Sequence, residues 1–376
     1  MAGIYIHIPF CKRRCIYCDF YSVGSVLADW HRFVDALIAE ADLRRKEFLS
    51  FSKSEPLSFY IGGGTPSLIP EENFKYLASS LIDLFGKPAE FTIEVNPDDI
   101  NSQKAEAWAN VGVNRVSMGV QSLNDDELSF IGRRHSSAHV RSALSILKEK
   151  FSNISLDLMF GLPGQTLDSL SKTISEIVDM QPQHISVYSL MYEERSALTK
   201  LRDMGRIGEM AEDESLEMFK LISSVLKENG FERYEISNYS KPGFRSLHNS
   251  SYWAGVPYLG LGPAAHSYDG KNIRKANIAD FKTYLAEIEK NNTAYIVEKL
   301  SDEELREEMI MTRLRTAEGL SLSHFRSRFG TSEENSLMSK AYTWIKTGHL
   351  ALSANAELSL TDKGVMVSDE IISDLF

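Results

Sequence analysis

The 376-residue chain is poor in thiols: it holds three cysteines, all within CKRRCIYC at residues 11–18. Three cannot pair into disulfides without a remainder, and so sparse and odd a count fits a reducing compartment, the cytoplasm. Positive charge is also short, with 41 Lys+Arg against 52 Asp+Glu and a net charge of −11. Neutralising phosphates takes a basic face, so the charge balance argues against a general nucleic-acid-binding role. No apolar run approaches the roughly 18 residues that span a membrane. The opening MAGIYIHIPF has no basic stretch and no small-residue cleavage site, which argues against a signal peptide. Internal repeats and low-complexity tracts are absent. What remains is ordinary globular composition, 43% hydrophobic and 25% charged, at a length suited to one large domain and a smaller one.

Strands are expected at 4–8, 57–61, 91–95, 113–120, 154–160 and 184–190. A segment with apolar residues at threes and fours follows each, predicting helices at 28–46, 71–85, 102–110, 138–150, 167–180 and 212–229. Asp29 and Asn101 suit helix starts, and Gly230 suits the end of the last. Strands alternating with helices imply parallel βα units.

Residue parity narrows the architecture. Thr92, Glu94 and Asn96 oppose Phe91, Ile93 and Val95; Arg115, Ser117 and Gln121 oppose Val116, Met118 and Val120. Ser155 and Asp157 likewise oppose Ile154, Leu156 and Leu158, and Tyr5 and His7 oppose Ile4, Ile6 and Ile8. His184, Ser186 and Tyr188 oppose Ile185 and Val187. Each strand thus has one polar and one apolar face. A closed eight-stranded barrel is filled with branched apolar side chains and a doubly covered sheet reads as continuous apolar runs. A solvated antiparallel sheet alternates in the same way, but helix-length connections oppose it. The expected fold is α/β: an incomplete (β/α)6 parallel barrel around a wet or ligand-filled cavity, over residues 1–238. A Gly-, Ser-, Pro- and aromatic-rich linking segment follows at 239–300, read up to 275 as ordered loops. Residues 301–376 read as helices and then a hairpin, a small α+β winged-helix-like unit. With 8 Lys+Arg against 13 Asp+Glu it suits packing or a lid better than DNA.

Cys11, Cys15 and Cys18 follow C-x3-C-x2-C directly after the first strand, where a barrel places its chemistry. Three thiolates on an iron–sulfur cluster leave one iron free for another ligand. Structural zinc completed by a distant histidine, or redox-sensing thiols, remain open from the residues alone. Lys12, Arg13 and Arg14 are placed to lower thiol pKa values or offset cluster charge. GGGTP at 62–66 follows the second strand, and its glycines let backbone N–H groups approach a ligand.

These residues, with Tyr17 before the third cysteine, resemble the radical S-adenosylmethionine (SAM) superfamily. In that family a 4Fe-4S cluster held by three cysteines binds SAM at its open iron and cleaves it to a 5′-deoxyadenosyl radical. YIHIPFC (5–11), IGGGTPS (61–67), TIEVNP (92–97), RVSMGVQS (115–122), IGRRH (131–135), DLMFGLPGQT (157–166) and YEISNY (234–239) resemble one branch of it. That branch includes the oxygen-independent coproporphyrinogen III dehydrogenase (HemN) of porphyrin biosynthesis. The resemblance implies SAM contacts at Tyr5, Tyr17, Gly64, Thr65, Glu94, Gln121, Arg133 and Asp157.

Two features depart from the dehydrogenase. Its fourth cysteine, two beyond the third, is replaced by Phe20, and its segment ahead of the first strand has no counterpart before Ile4. Both match the HemW-type heme chaperones, as does HNSSYW at 248–253. The resemblance then implies heme binding through His248, Tyr252 and Trp253, with acceptors among heme proteins, including membrane-bound respiratory ones, and cluster-dependent homodimers. Neutral imidazole is a common heme ligand, and aromatics supply flat apolar walls. His266, in YLGLGPAAHSYDG (258–270), is a second candidate ligand. The alternative is a radical SAM enzyme that decarboxylates coproporphyrinogen III to protoporphyrinogen IX. No catalytic residue is assigned.

Overall fold

The period-two alternation builds six strands whose apolar faces all turn one way. The computed structural model describes residues 2–52 and 57–376. Strands β1 (Ala2–Ile8), β2 (Leu57–Gly63), β3 (Glu90–Val95), β4 (Arg115–Gln121), β5 (Ile154–Phe160) and β6 (His184–Ser189) lie side by side in that order. All five pairings between them are parallel. Helices α1 (Trp30–Phe51), α2 (Glu71–Phe85), α3 (Ser102–Asn110), α4 (Ser137–Lys148), α5 (Leu167–Asp179) and α6 (Glu212–Glu228) supply the crossovers. Asp29 caps α1 by accepting from the Arg32 N–H at 3.2 Å, and Asn101 caps α3 by accepting from Lys104 at 2.8 Å. Gly230, at φ +77°, follows the end of α6.

One parity packs outward. Ile4, Ile6, Phe59, Ile93, Val116 and Leu156 are fully buried in a single core shared with α1, α2, α4 and α5. Burying each such side chain stabilises the fold by roughly 1.5–3 kcal/mol. The opposite parity carries Thr92, Arg115, Ser117, Ser155 and His184, buried polar side chains that face a hollow.

The sheet does not close. Beyond β6 it continues antiparallel through Asn238–Ser240 to Glu232–Arg233. Beyond β1 it gains a seventh parallel strand, Tyr258–Leu261, followed by antiparallel His266–Tyr268, Ile273–Asn277 and Tyr295–Lys299. The result is one open sheet of twelve strands. The expectation of loops over 239–275 therefore needs correction. Glycine there marks close approach, since a Cβ on Gly260 would lie 2.0 Å from the His266 carbonyl oxygen. The fourth strand starts at Arg115 rather than 113, and the sixth ends at Ser189.

A buried carboxylate ties this extension to the barrel. Glu40 of α1 accepts from the Gly262 N–H (2.8 Å), Asn277 Nδ2 (2.7 Å) and the Tyr284 hydroxyl (2.8 Å). Arg44, one turn on, donates to the Gly260 carbonyl and Ser267 Oγ, both at 3.0 Å.

Helices Asp302–Leu314, Leu322–Phe329 and Thr331–Lys346 precede the hairpin Leu350–Leu352/Glu357–Leu360, with Ala356 at φ +59° in its turn. Leu320–Ser321 adds a third strand, and two short helices, Asp362–Val365 and Ser368–Leu375, were not anticipated. Leu314, Phe325, Leu337, Leu358 and Ile371 form a separate core. No helix among the described residues is long and apolar enough to cross a membrane.

Replacing Glu40 with Ala leaves the buried Gly262 N–H and Tyr284 hydroxyl without their acceptor and Arg44 without a partner carboxylate at that position, and is expected to cost about 3 kcal/mol or more in urea unfolding. A loss below about 1 kcal/mol would show that water replaces the carboxylate there.

Candidate functional site

The chain leaves β1 at Pro9, and Phe10–Cys11 pairs with Val23–Gly24, closing a loop that carries Cys15 and Cys18. Arg14 clips the loop by donating to the Cys18 carbonyl from Nε (3.2 Å) and Nη2 (3.0 Å). Ile16 bonds the Ile131 carbonyl at 3.2 Å and the Leu198 N–H at 2.9 Å, and it packs with Tyr17 against Ile131, Leu162 and Leu198. The three cysteines are half-buried. Thr65 Oγ1 donates to Cys11 Sγ at 3.4 Å, and Arg133 Nη1 approaches Cys15 Sγ at 3.8 Å. Lys12 points elsewhere, onto Asp99 at 2.7 Å, whereas Arg133 reaches Cys15 Sγ and Arg14 acts electrostatically on Cys18. Burial pushes the Cys11 thiol up and the Cys18 thiol to about 11. Among the described residues no three His, Cys, Asp or Glu side chains converge on one ion.

GGGTP packs beneath this loop because its residues have almost no side chain to place. A Cβ on Gly64 would sit 2.9 Å from the Ile8 and Phe10 carbonyls and 3.0 Å from Cys11 Sγ. Gly63 adopts φ +109°, and its N–H donates to Glu94 Oε2 at 3.1 Å.

Within the hollow, Glu94 Oε1 accepts from the Tyr60 hydroxyl at 2.7 Å, and Asp157 Oδ1 accepts from Ser117 Oγ at 3.1 Å. Burial pushes the Glu94 carboxyl up to about 7 and raises that of Asp157. Arg133 Nη2 donates to Asn96 Oδ1 and the Gly119 carbonyl, both at 2.6 Å. Gln121 lies at a register shift and holds φ +68°, an uncommon backbone state for a residue with a side chain. Its amide makes no hydrogen bond among the described residues. Arg115 is 1% exposed, yet its Nε and Nη1 have no partner among the described residues. Unpartnered buried donors are costly. Glu94 lies within electrostatic reach of Tyr5 and of Asp157, Gln121 Nε2 and Arg133 Nη2 both lie beside Gly119, and Gly64, Thr65, Tyr17 and Arg133 lie by the cysteines.

His248 lies at the other end of the strands. It begins the helix Leu247–Trp253, whose first N–H groups and Ser246 Oγ all donate to Glu90: Leu247 N at 2.8 Å, His248 N at 2.9 Å and Ser246 Oγ at 3.2 Å. The imidazole is 1% exposed. Its Nδ1 bonds Ser58 Oγ at 2.9 Å, its Nε2 bonds the Tyr252 hydroxyl at 3.0 Å, and Tyr60 stacks on it at 5.0 Å. Burial, with Arg115 nearby, lowers its pKa to about 3, so it is neutral. In this arrangement neighbours occupy both ring nitrogens of His248.

Tyr252 and Trp253 do reach an opening. They line a cleft of about 900 Å³ along the unclosed side of the barrel. It runs from Tyr5 and His7 of β1, past Asp19, Phe20 and Tyr21 after the third cysteine, to Tyr258, His266 and Tyr268. Its far wall comes from Met309, Arg313, His324 and Arg328. Neither Glu90, whose partners lie 156–158 residues on, nor Ser58 gave any sequence signal. Arg115 did show its parity, though no role.

The raised Glu94 carboxyl carries a sign. It takes up a proton near 7 when folded and near 4.5 when unfolded. Between those values the folded state binds more protons, so this group makes stability fall as pH rises. Glu94→Gln is therefore expected to gain in melting temperature relative to the parent chain from pH 5 to pH 8, by about 2 °C or more. A difference that stays constant with pH would refute the shift.

Comparison with known proteins fits this geometry. Residues 5–177 match the Radical SAM superfamily and residues 300–367 the HemN C-terminal domain. The Heme chaperone HemW of Bacillus subtilis is 35% identical over 380 residues, covering 99% of this chain and 98% of that one. The Heme chaperone HemW of Lactococcus lactis is 32% identical, covering 98% of this chain and 95% of that one. The solved coproporphyrinogen III oxidase HemN of Escherichia coli, 21% identical, superposes with a TM-score of 0.84 over 100% of this chain and 89% of its own, a likeness of fold. The chain belongs to the HemW heme-chaperone family within the radical SAM superfamily.

Proposed function

We propose that this protein binds heme and hands it to acceptor heme proteins, and that Cys11, Cys15 and Cys18 hold a 4Fe-4S cluster whose open iron takes SAM. The observation that carries the reading is the aromatic, imidazole-bearing cleft that opens beside the cysteine loop. A cluster with SAM bound supplies one-electron chemistry. The chain's own residues do the holding. Arg133 offsets thiolate charge at Cys15, and Thr65 donates to Cys11. Glu94 and Asp157 keep free lone pairs for hydroxyl and ammonium groups of SAM, and Gln121 offers an unengaged amide. Gly64 lets backbone approach the loop without a side chain between. Tyr5 and Tyr17 wall the same region.

Phe20 stands where the dehydrogenase has a further thiol, and it is 64% exposed on the cleft. An exposed aromatic suits a flat apolar cargo better than water. Delivery needs a partner, and the relatives' name, heme chaperone, points to acceptor heme proteins. Assembly into a cluster-dependent homodimer belongs to the same proposal.

Anaerobically reconstituted protein is expected to hold about four iron and four sulfide per chain, and Cys15→Ala to lose most of both. Given heme, it should pass the group to an apo-acceptor while SAM and coproporphyrinogen III yield no protoporphyrinogen at catalytic turnover. Steady turnover of the porphyrinogen would instead establish the dehydrogenase reading.

A further inference from the structure

Resting on the heme-carrier reading, we infer that heme sits in the cleft with His266 as its iron ligand and its two propionates on Arg313 and Arg328, while His248 is a positioning residue of the barrel floor. The inference separates two histidines that the sequence places only 18 residues apart. A ligand to iron needs an exposed nitrogen lone pair. His266 is exposed on the cleft wall, and its ring makes no hydrogen bond among the described residues.

His248 has the opposite surroundings. Both its nitrogens are occupied, Tyr60 covers one face and the Tyr252 ring meets it edge-on at 4.9 Å. Even the β1 backbone presses on it, since a Cβ on Gly3 would lie 3.1 Å from its Cε1. Its imidazole joins β2 through Ser58 to Tyr252, and so holds in place an aromatic wall of the cleft.

The charges suit a dicarboxylate. Three arginines line the cleft. Arg274 is already paired with Glu308 at 2.6 Å. Arg313, from helix Asp302–Leu314, and Arg328, from helix Leu322–Phe329, have no ion pair among the described residues. Guanidinium groups bind carboxylates through paired, charge-assisted hydrogen bonds. The rings of Trp253, Tyr258 and Tyr268 line the same cleft and provide flat surface for a macrocycle. A cleft of about 900 Å³ lies toward the large end of small-molecule sites, as a tetrapyrrole requires. The cargo's edge then rests on Asp19–Tyr21, directly after Cys18, which brings it beside the cysteine loop.

The test is a titration of the full-length chain with ferric heme and with heme dimethyl ester, followed by absorbance and by retention through gel filtration. His266→Ala is expected to shift the Soret band and weaken heme binding about tenfold or more, with added imidazole restoring the band. Arg313→Gln with Arg328→Gln should weaken heme about tenfold and leave the uncharged ester unaffected. His248→Gln should keep the heme spectrum and lower the melting temperature; if it does not fold, Ser58→Ala reads the same floor contact. A His266→Ala protein with unchanged spectrum and affinity overturns this assignment and leaves the carrier reading standing. A parent chain that retains no heme at all overturns the carrier reading itself.

Discussion

A parallel sheet with one polar face cannot fill its own interior, and that constraint organises the protein. The six barrel strands turn Ile, Val, Leu and Phe toward the helices and leave Glu94, Arg115, Asp157 and His184 facing one another. Closing such a sheet would bury charge on charge. Instead it stays open and extends past β1 into four further strands. The hollow keeps acceptors and donors that protein alone does not satisfy, including the Arg115 guanidinium. In the proposed function a polar ligand would complete it, and the cysteine loop follows directly on β1.

The open side serves a second purpose. Where an eighth strand would close a barrel, a cleft runs between the strand extension and the C-terminal helices. Its shape depends on buried polar anchors away from the cleft. Glu40 fastens the extension to α1, and Glu90 fastens the helix of His248 under the strands. Carboxylates in these places are costly to bury, and each is offset by three or more donors. Such buried polar networks favour one arrangement of the cleft walls over looser apolar alternatives.

Much of this was legible in residue order. Parity in FTIEVN and VNRVSMGVQ told which side chains face inward, because period two is a local property of a strand. The caps Asp29 and Asn101 are equally local. The strand extension was not legible: Tyr258–Leu261 and His266–Tyr268 are short, and their glycines and aromatics read as loop. Their pairing is set by close approach of Gly260 to His266, which only the assembled sheet reveals. His248 shows the same limit at the site. Its motif gives the residue types, while its burial depends on Ser58 and Glu90, far away in sequence. Gln121 kept its inward place only through a register shift and a left-handed backbone, neither visible as alternation.

The central claim is an iron with no protein ligand facing a polar hollow. Electron paramagnetic resonance of the reduced, anaerobically prepared protein, recorded with and without SAM, addresses it most directly. A signal that changes on adding SAM is expected, with the change lost or weakened when Glu94 and Asp157 are replaced by their amides. A signal indifferent to SAM in the parent chain would mean that the protein already caps every iron, and would contradict the account.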